Sequence, residues 1–494
     1  MEPFTLLPAE LRLVVLRHFD RPDLLQSALI SRAWRDYARS DLRYYLPVRI
    51  TEFILMQPVE RRTNMIQRIS YALSNGVRLS VSVQLWLSFA RRDLQTKQDA
   101  MKILLGLLIP ARPVIVQLNI HVAQYIVPLL HQLLSAQGAW PCLRIFRFSS
   151  AAHRVLDNHH PPTLPLQIFG DCAPGLTFVA LESIWTEVDD IPMAFGRVTG
   201  LKVTLEELSA PVTLTIGQAF PRLTKLKVDM QKTTPMDTRV SLMGGRFPGL
   251  QLTISYAMYL QDYTSSLLDQ AQYIELETPT GRDHDAEWTE RIRVISALPS
   301  GPLVVNIQLQ DGRGTIGRSV SGTWKLSCTH IETGCTRTSL DIGTLGDLTH
   351  KLLAVGCCER VLHLSIQSDL FPAVLHVGTW DALRELDIVL KSDWLTWPKA
   401  HGRQFSGIAP ALSSVRFIAT WMPHSVSIAV LENLTITLGI TNATVHLEFH
   451  GVAILGDRAL IQSSFASITE AVLDQGKSKP RVQAASWFVD EILM

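Results

Sequence analysis

The sequence predicts an α/β protein, in which a small head of three short helices precedes a solenoid of parallel strands with outer helices. The chain has 494 residues, well beyond the roughly 250–300 at which one hydrophobic core stops growing, so it needs several cores or a repeat. Its N-terminus carries apolar residues at helical spacing, broken twice by turn and cap residues. From about residue 110 onward a different texture takes over, in which the pattern apolar-x-x-apolar-x-apolar recurs in short runs.

In the head, Pro8 suits a first helical position and Glu10 a first turn, while Leu7, Leu11, Val14, Val15 and Phe19 line one face. Pro22 restarts the chain, Asp20 or Asp23 caps a second helix carrying Leu24, Leu25 and Leu29, and Ser31 caps a third containing Trp34 and Tyr37. So small a unit buries too little apolar surface to be comfortable alone, and an external partner is expected.

The ordered series Leu7-Pro8-x-Glu10-Leu11, Asp23-Leu24-Leu25 and Ile30-Ser31-Arg32-x-Trp34-Arg35 resembles the F-box, over about residues 4–45. The resemblance implies docking on a Skp-type adaptor and, through it, on a cullin-RING ubiquitin ligase. It implies that Leu7, Pro8, Leu11 and Val15 begin the adaptor-binding surface, that Leu24, Leu25 and Ile30 continue it, and that Trp34 anchors the third helix.

Beyond the F-box-like segment 1–45, residues 46–110 read as a helical linker or N-terminal cap, with helices over Val59 to Leu73 and Leu85 to Leu105. Residues 111–455 read as an irregular leucine-rich-repeat-like solenoid. Its strands are marked by Ile115/Leu118/Ile120, Leu143/Phe146/Phe148, Leu176/Val179/Leu181, Leu223/Leu226/Val228 and Ala271/Ile274/Leu276. Further copies are Val304/Ile307/Leu309, Val361/Leu364/Ile366, Leu383/Leu386/Ile388, Leu412/Val415/Phe417 and Leu431/Leu434/Ile436. Intervals such as Leu364 to Leu386 fall in the ~20–29 range of leucine-rich repeats. Return helices are expected over Ala123 to Leu134, Tyr259 to Ala271, Ala286 to Leu298 and Leu345 to Val355.

One feature of regular leucine-rich repeats is missing. Where they place Asn or Cys, three residues past the last apolar strand position, this chain has Ala151, Ile184, Gln231, Pro279, Asp369, Lys391 and Thr420, so the turn groups need other partners. Residues 456–494 read as a C-terminal helical cap, from Ile461 to Leu473 and from Ala484 to Leu493.

Motifs for chemistry are sparse. Gly312-x-Gly314-x-x-Gly317 has dinucleotide-binding spacing, but the β-rich stretch after it predicts a hairpin rather than the helix such a site needs. Cys328, Cys335 and the adjacent Cys357-Cys358 lack zinc spacing and read as inert thiols, and His153, His159 and His160 sit in a Pro-rich loop. Asp283-His284-Asp285-x-Glu287 fits the polar opening of a helix as well as a cation or basic-peptide site. No hydrolase elbow, metalloprotease or phosphate-loop motif occurs, so no enzymatic activity, cofactor or metal is expected. Trp394, Trp397 and Arg403, in a loop after a strand, are candidate substrate contacts, because Trp and Arg often carry binding energy.

The 46 Lys+Arg and 45 Asp+Glu leave a net charge of +1, so no global field draws the chain to nucleic acid or membrane. The start at Met1-Glu2-Pro3 lacks the pattern of a signal peptide, and the apolar run Ile103 to Leu118 is broken by Pro110, Arg112 and Pro113. The sequons at Asn433 and Asn442 are then chance matches. Six sparse cysteines fit a reducing compartment, and the expected location is cytoplasmic and/or nuclear. The expected function is a substrate-recognition subunit of a Skp/cullin/F-box-type ligase, with a protein substrate on the repeats. The alternatives are a non-degradative repeat scaffold and an enzyme with an unrecognised site.

Overall fold

The computed structural model describes residues 21–31, 34–35, 38, 46–85, 93–135, 138–151, 164–165, 167–183, 192–205, 213–216, 220–230, 239–241, 247, 249–254, 271–276, 294–295, 297–310, 322–343, 358–371, 374, 379–395, 409–419, 423–440 and 444–471. These fall in two compact units, one within Met1–Phe247 and one within Pro248–Ala484.

The first unit opens with α1 (Arg21–Ile30). Pro22 lies inside its first turn, where a fixed φ and a missing N–H cost nothing, so the helix starts at Arg21 with Asp23 in the first turn rather than capping it. The next elements are β1 (Leu46–Thr51), α2 (Glu52–Leu55), α3 (Val59–Asn75), β2 (Leu79–Leu85), α4 (Leu94–Ala111), β3 (Ile115–Ala123), α5 (Val127–Leu134) and β4 (Ile145–Ala151). After them come β5 (Phe178–Glu182), β6 (Gly200–Leu205), β7 (Thr213–Thr215), β8 (Lys225–Met230) and β9 (Arg239–Ser241).

Strands β1-β2-β3-β4-β5-β6-β8 run parallel, side by side in that order, and β7 pairs with β9 in a separate parallel ribbon. Two aligned rows of apolar side chains cross them: Val48, Val81, Leu118, Phe146, Val179, Leu201 and Leu226, then Ile50, Val83, Ile120, Phe148, Leu181, Val203 and Val228. All are buried. Period two puts these residues on one face of each strand, and the shared register stacks them into a continuous seam.

Residues 46–110 were expected to be a helical linker or cap with two helices, and strands are found beside those helices. They hold α3 and most of α4 but also β1 and β2, so the parallel array begins at Leu46. Leu79, Val81, Val83 and Leu85 are all 0% exposed, and the serines between them gave the segment no continuous apolar run to mark it as a strand. The second helix starts later than expected, where the Asp93 carboxylate accepts the Thr96 N–H at 2.8 Å.

The second unit contains β10 (Leu250–Ile254), β11 (Ala271–Leu276), β12 (Leu303–Gln310), β13 (Gly322–His330), β14 (Thr336–Gly343), β15 (Val361–Gln367), β16 (Glu385–Leu390) and β17 (Ser414–Ala419). It ends with β18 (His424–Ser427), α6 (Ile428–Leu438), β19 (His446–His450), β20 (Val452–Leu455), α7 (Ala459–Gln462) and β21 (Ser467–Ala471). The sheet order is β10-β11-β14-β13-β12-β15-β16-β17-β19-β21, with β18 paired to β20.

Every neighbouring pair is parallel except the two that involve β13. The hairpin expected around Gly312 is therefore present as the antiparallel β12–β13 ladder, and the all-parallel expectation is corrected at β12–β14. Both units are mixed α/β with mostly parallel strands, stacked in sequence except where β14, β13 and β12 run in reverse order, an arrangement compatible with a solenoid-like repeat.

Three further expectations are corrected. Leu431, Leu434 and Ile436 lie in helix α6, because Val430, Leu431, Leu434, Thr437 and Leu438 repeat at helical spacing, Ser427 caps the start and Gly439 closes it at φ +63°. In β12 the core positions are Leu303, Val305 and Ile307, since its register against β15 shifts after Leu303. Of the expected helix from Ile461, only α7 forms; Ser467–Ala471 instead extends the sheet beside β19, with Ala466 N–H bonded to the Val445 carbonyl at 2.8 Å.

A turn recurs ahead of five of the strands, β4, β5, β8, β16 and β17. Leu143, Leu176, Leu223, Leu383 and Leu412 each donate their N–H to the carbonyl three residues earlier, on Trp140, Ala173, Phe220, Trp380 and Ala409. These are β-turns, and Pro141, Pro174, Pro221 and Pro410 occupy the second turn position, where a locked φ fits. Trp140, Phe220 and Trp380 are fully buried.

At this entry edge, where strands begin, main-chain groups of successive repeats pair with one another. The Thr177 and Phe178 N–H groups share the Arg144 carbonyl, Thr199 and Gly200 share that of Thr177, Thr224 and Lys225 that of Thr199, and Ser413 and Ser414 that of Arg384. Hydroxyls of Thr177, Thr199, Thr224 and Ser413 bond the same carbonyls at 3.0–3.3 Å. The edge is closed mainly by main chain.

Candidate functional site

Alternation in the strands leaves one face polar. In the second unit its best-defined part is a charged cluster on β15, β16, β17 and β19. Register places Ser365, Asp387, Arg416 and Glu448 in one row, and His363, Glu385, Ser414 and His446 in the next. The His363 ring bonds through Nε2 to Asp387 Oδ2 at 2.9 Å, while Arg416 donates from Nε to Asp387 Oδ1 at 2.5 Å and from a terminal nitrogen to Glu385 at 3.1 Å.

Asp387 is 8% exposed. Burial pushes its carboxyl up, but hydrogen bonds from His363 and Arg416, with their charges, outweigh burial and hold it below the ordinary aspartate value. Burial likewise opposes the charge on Arg416, and Asp387, Glu385 and Glu448 more than restore it. The cluster is a fixed array of charges, with His450 bonded to Glu448 at 3.2 Å and His446 to Ser467 at 2.8 Å at its far side. Among the described residues no group of three potential ligands could hold a metal.

In the first unit the polar face carries the row Arg49, Ser82, Asn119, Arg147, Ala180, Lys202 and Lys227. Arg49 donates to Gln84, the Arg147 guanidinium lies 5.9 Å from the Phe178 ring centroid, and Lys202 and Lys227 share Asp229 at 3.0 and 3.5 Å. His121 bonds Ser149 at 2.9 Å; burial depresses its pKa, with Arg147 adding to the effect and Glu182 opposing it.

Neither row was singled out from sequence. The signal available was the identity of the x positions inside each strand motif, for example Glu385-Leu386-Asp387 and Arg416 opposite them. Single-strand reading does not reveal which of these become neighbours.

The substrate contacts expected after β16 fare differently. Trp394 is 8% exposed; it meets Phe371 edge-on at 6.0 Å and Phe417 at 6.2 Å, and its N–H and carbonyl bond Ser425 and Ser427. Its ring packs the core instead of facing a partner. Trp397 and Arg403 lie outside the described residues. So do the three histidines of the Pro-rich loop, the Asp283 cluster and Cys357. Cys328 and Cys358 are buried, and Cys335 is half-buried.

At the head, Leu7, Pro8, Leu11 and Val15 also lie outside the described residues. Leu24 and Leu25 fall on α1, and Ile30 ends it. Ile30 is 63% exposed and the neighbouring Leu29 79%, while Ser27 is buried, so the helix end displays apolar surface. The Ser31 hydroxyl accepts the Trp34 N–H at 3.4 Å, the cap expected for the following turn; Trp34 is half-buried.

The described part of the head is thus a short helix with Leu29 and Ile30 exposed, followed by a strand array. Residues 4–46 match the family model of the F-box domain, so the chain carries an F-box at this end. No curated protein and no solved structure matches the chain significantly.

Proposed function

We propose that this chain is the substrate-recognition subunit of a Skp/cullin/F-box-type ubiquitin ligase. The F-box docks on a Skp-type adaptor, the adaptor brings a cullin-RING assembly, and the polar face of a leucine-rich-repeat-like array holds a protein substrate. The observation that carries the reading is the F-box at residues 4–46. It is supported by the outward-facing Leu29 and Ile30, whose burial by a partner would remove apolar surface from water. The chain supplies position and selectivity, and other subunits supply the chemistry of ubiquitin transfer, so the receptor itself needs no catalytic group.

Co-purification of the full chain with a Skp-type adaptor and a cullin tests it. Binding is expected, with loss in the Leu7→Asp, Pro8→Ala double variant. A folded chain that captures no adaptor would refute the reading. Adaptor capture with no cullin and no change in the half-life of bound proteins would instead identify a non-degradative scaffold.

A further inference from the structure

The polar face of the first unit is electrically one-sided although the whole chain is balanced at +1. On β1, β4, β6 and β8 it carries Arg49, Arg147, Lys202, Lys225 and Lys227, and among the described strand residues its carboxylates are Glu182 and Asp229. Four of the cations share one row, and no acidic residue lies in that row; both carboxylates belong to the adjacent one. In the second unit the corresponding face from β15 to β21 has the opposite sign, with Glu385, Asp387 and Glu448 against Arg416.

We propose that the row Arg49–Arg147–Lys202–Lys227, in which the buried Lys227 adds its field and the other three make contact, binds an extended acidic segment of a protein partner. The inference rests on the substrate-receptor reading and deepens it by naming the chemistry of what is recognised. Charge complementarity argues for it: like charges brought together on one face cost folding free energy, and an anionic partner relieves that cost.

Dimensions agree. Seven strands spaced about 4.8 Å apart make a row of roughly 29 Å, the length of about nine residues of extended chain at ~3.3 Å each. The cations are also held in place, Arg49 by Gln84, Arg147 by the Phe178 ring, and Lys202 and Lys227 by Asp229. Less side-chain entropy is then lost on binding than with four untethered long chains. Burial depresses the pKa of His121 and disfavours its charge, so charge selection falls to the lysines and arginines.

The test uses the full chain and a fluorescein-labelled peptide of about ten residues alternating glutamate and glycine, with a lysine–glycine peptide as counterpart. Fluorescence anisotropy is expected to give the glutamate peptide a Kd about tenfold or more below that of the lysine peptide, weakening as salt rises. The Arg147→Gln, Lys202→Gln double variant is expected to raise that Kd about tenfold, and Glu182→Gln, which removes a carboxylate, to lower it severalfold. The second variant keeps the proposal exposed to test even if the first folds poorly.

Equal affinity for both peptides, or no response to either variant, would overturn it. So would an oligonucleotide of equal charge binding more tightly than the peptide, which would assign the row to phosphate backbones. Adaptor capture measured on the same preparations keeps the two readings separate. Its loss with charge-selective peptide binding intact removes only the ligase assignment, and the converse removes only the acidic-segment assignment.

Discussion

Arg416 on β17 donates to Asp387 on the adjacent β16 at 2.5 Å, and His363 on β15 approaches the other oxygen of the same carboxylate at 2.9 Å. One carboxylate thus ties three consecutive strands across a face whose middle is nearly closed to water. A charge held there depends on both neighbours, because burial alone would favour its neutral form.

Removing Arg416 should therefore cost more than an exposed ion pair would. Arg416→Ala is expected to lower unfolding free energy by about 2 kcal/mol, since it strands a buried carboxylate with one partner. The Asp387→Ala, Arg416→Ala double variant should lose less than the sum of the two single changes. Urea denaturation followed by circular dichroism measures both.

The pH dependence follows from the depressed Asp387 pKa. A carboxyl bound more tightly as the anion in the folded state contributes stability that is complete above its ordinary value of 3.8 and is lost as pH falls through the lower folded value. The stability difference between the wild type and Asp387→Asn should be flat above about pH 5 and shrink toward pH 2. Denaturation midpoints across that range check the sign; a difference that grows with acid would contradict it.

Gly301 offers a backbone test. Its φ is +138°, and a Cβ there would sit 2.6 Å from Nε2 of His330, whose ring bonds the Ser300 carbonyl and the Thr333 hydroxyl. Gly301→Ala must strain the backbone and displace that ring, at an expected cost of about 2–3 kcal/mol. Thermal unfolding should show the loss.

Leu29→Asp and Ile30→Asp separate binding from folding. Both side chains are mostly exposed, so stability of the isolated chain should change by no more than about 0.5 kcal/mol. Adaptor co-purification should fall at least about tenfold, because a carboxylate would have to be buried against the adaptor. Pull-down alongside a melting curve distinguishes a binding defect from an unfolded head.

Trp380→Ala probes the entry turn. The indole is 0% exposed and its carbonyl closes the turn to Leu383, so truncation should cost about 4 kcal/mol through the cavity it leaves. Trp380→Phe should recover part of that.

Much of the fold was legible in the sequence because an apolar-x-x-apolar-x-apolar run carries both a strand's alternation and the leucine that ends its entry turn. Leu143/Phe146/Phe148 and Leu383/Leu386/Ile388 are such runs, and both lie where expected. Its first two positions, three apart, also share a helix face, which is why Leu431/Leu434/Ile436 misled; Ile436 is exposed, and the cap at Ser427 and Gly439 at the far end were the discriminating residues. Strand β6 went unmarked although Val198, Leu201 and Val203 fit the pattern, and β2 hid behind its serines.

The site was less legible. Trp394 drew attention as a contact residue by type, yet burial depends on Phe371 and Phe417, which are distant in sequence. The rows through Arg147 and Asp387 exist only once register aligns separate strands.

The β12–β13–β14 segment differs from its neighbours in how far the chain must travel to close a pair. Thr329 meets Thr336 across a short turn in which Gly334 takes φ +71°, whereas each parallel partner elsewhere waits for a complete crossover. Loop-closure entropy rises with the length enclosed, and local pairings form soonest. Ordering of the second unit is therefore expected to start at this reversed strand, and hydrogen exchange during refolding should show amides of β13 and β14 protected before those of β16 and β17.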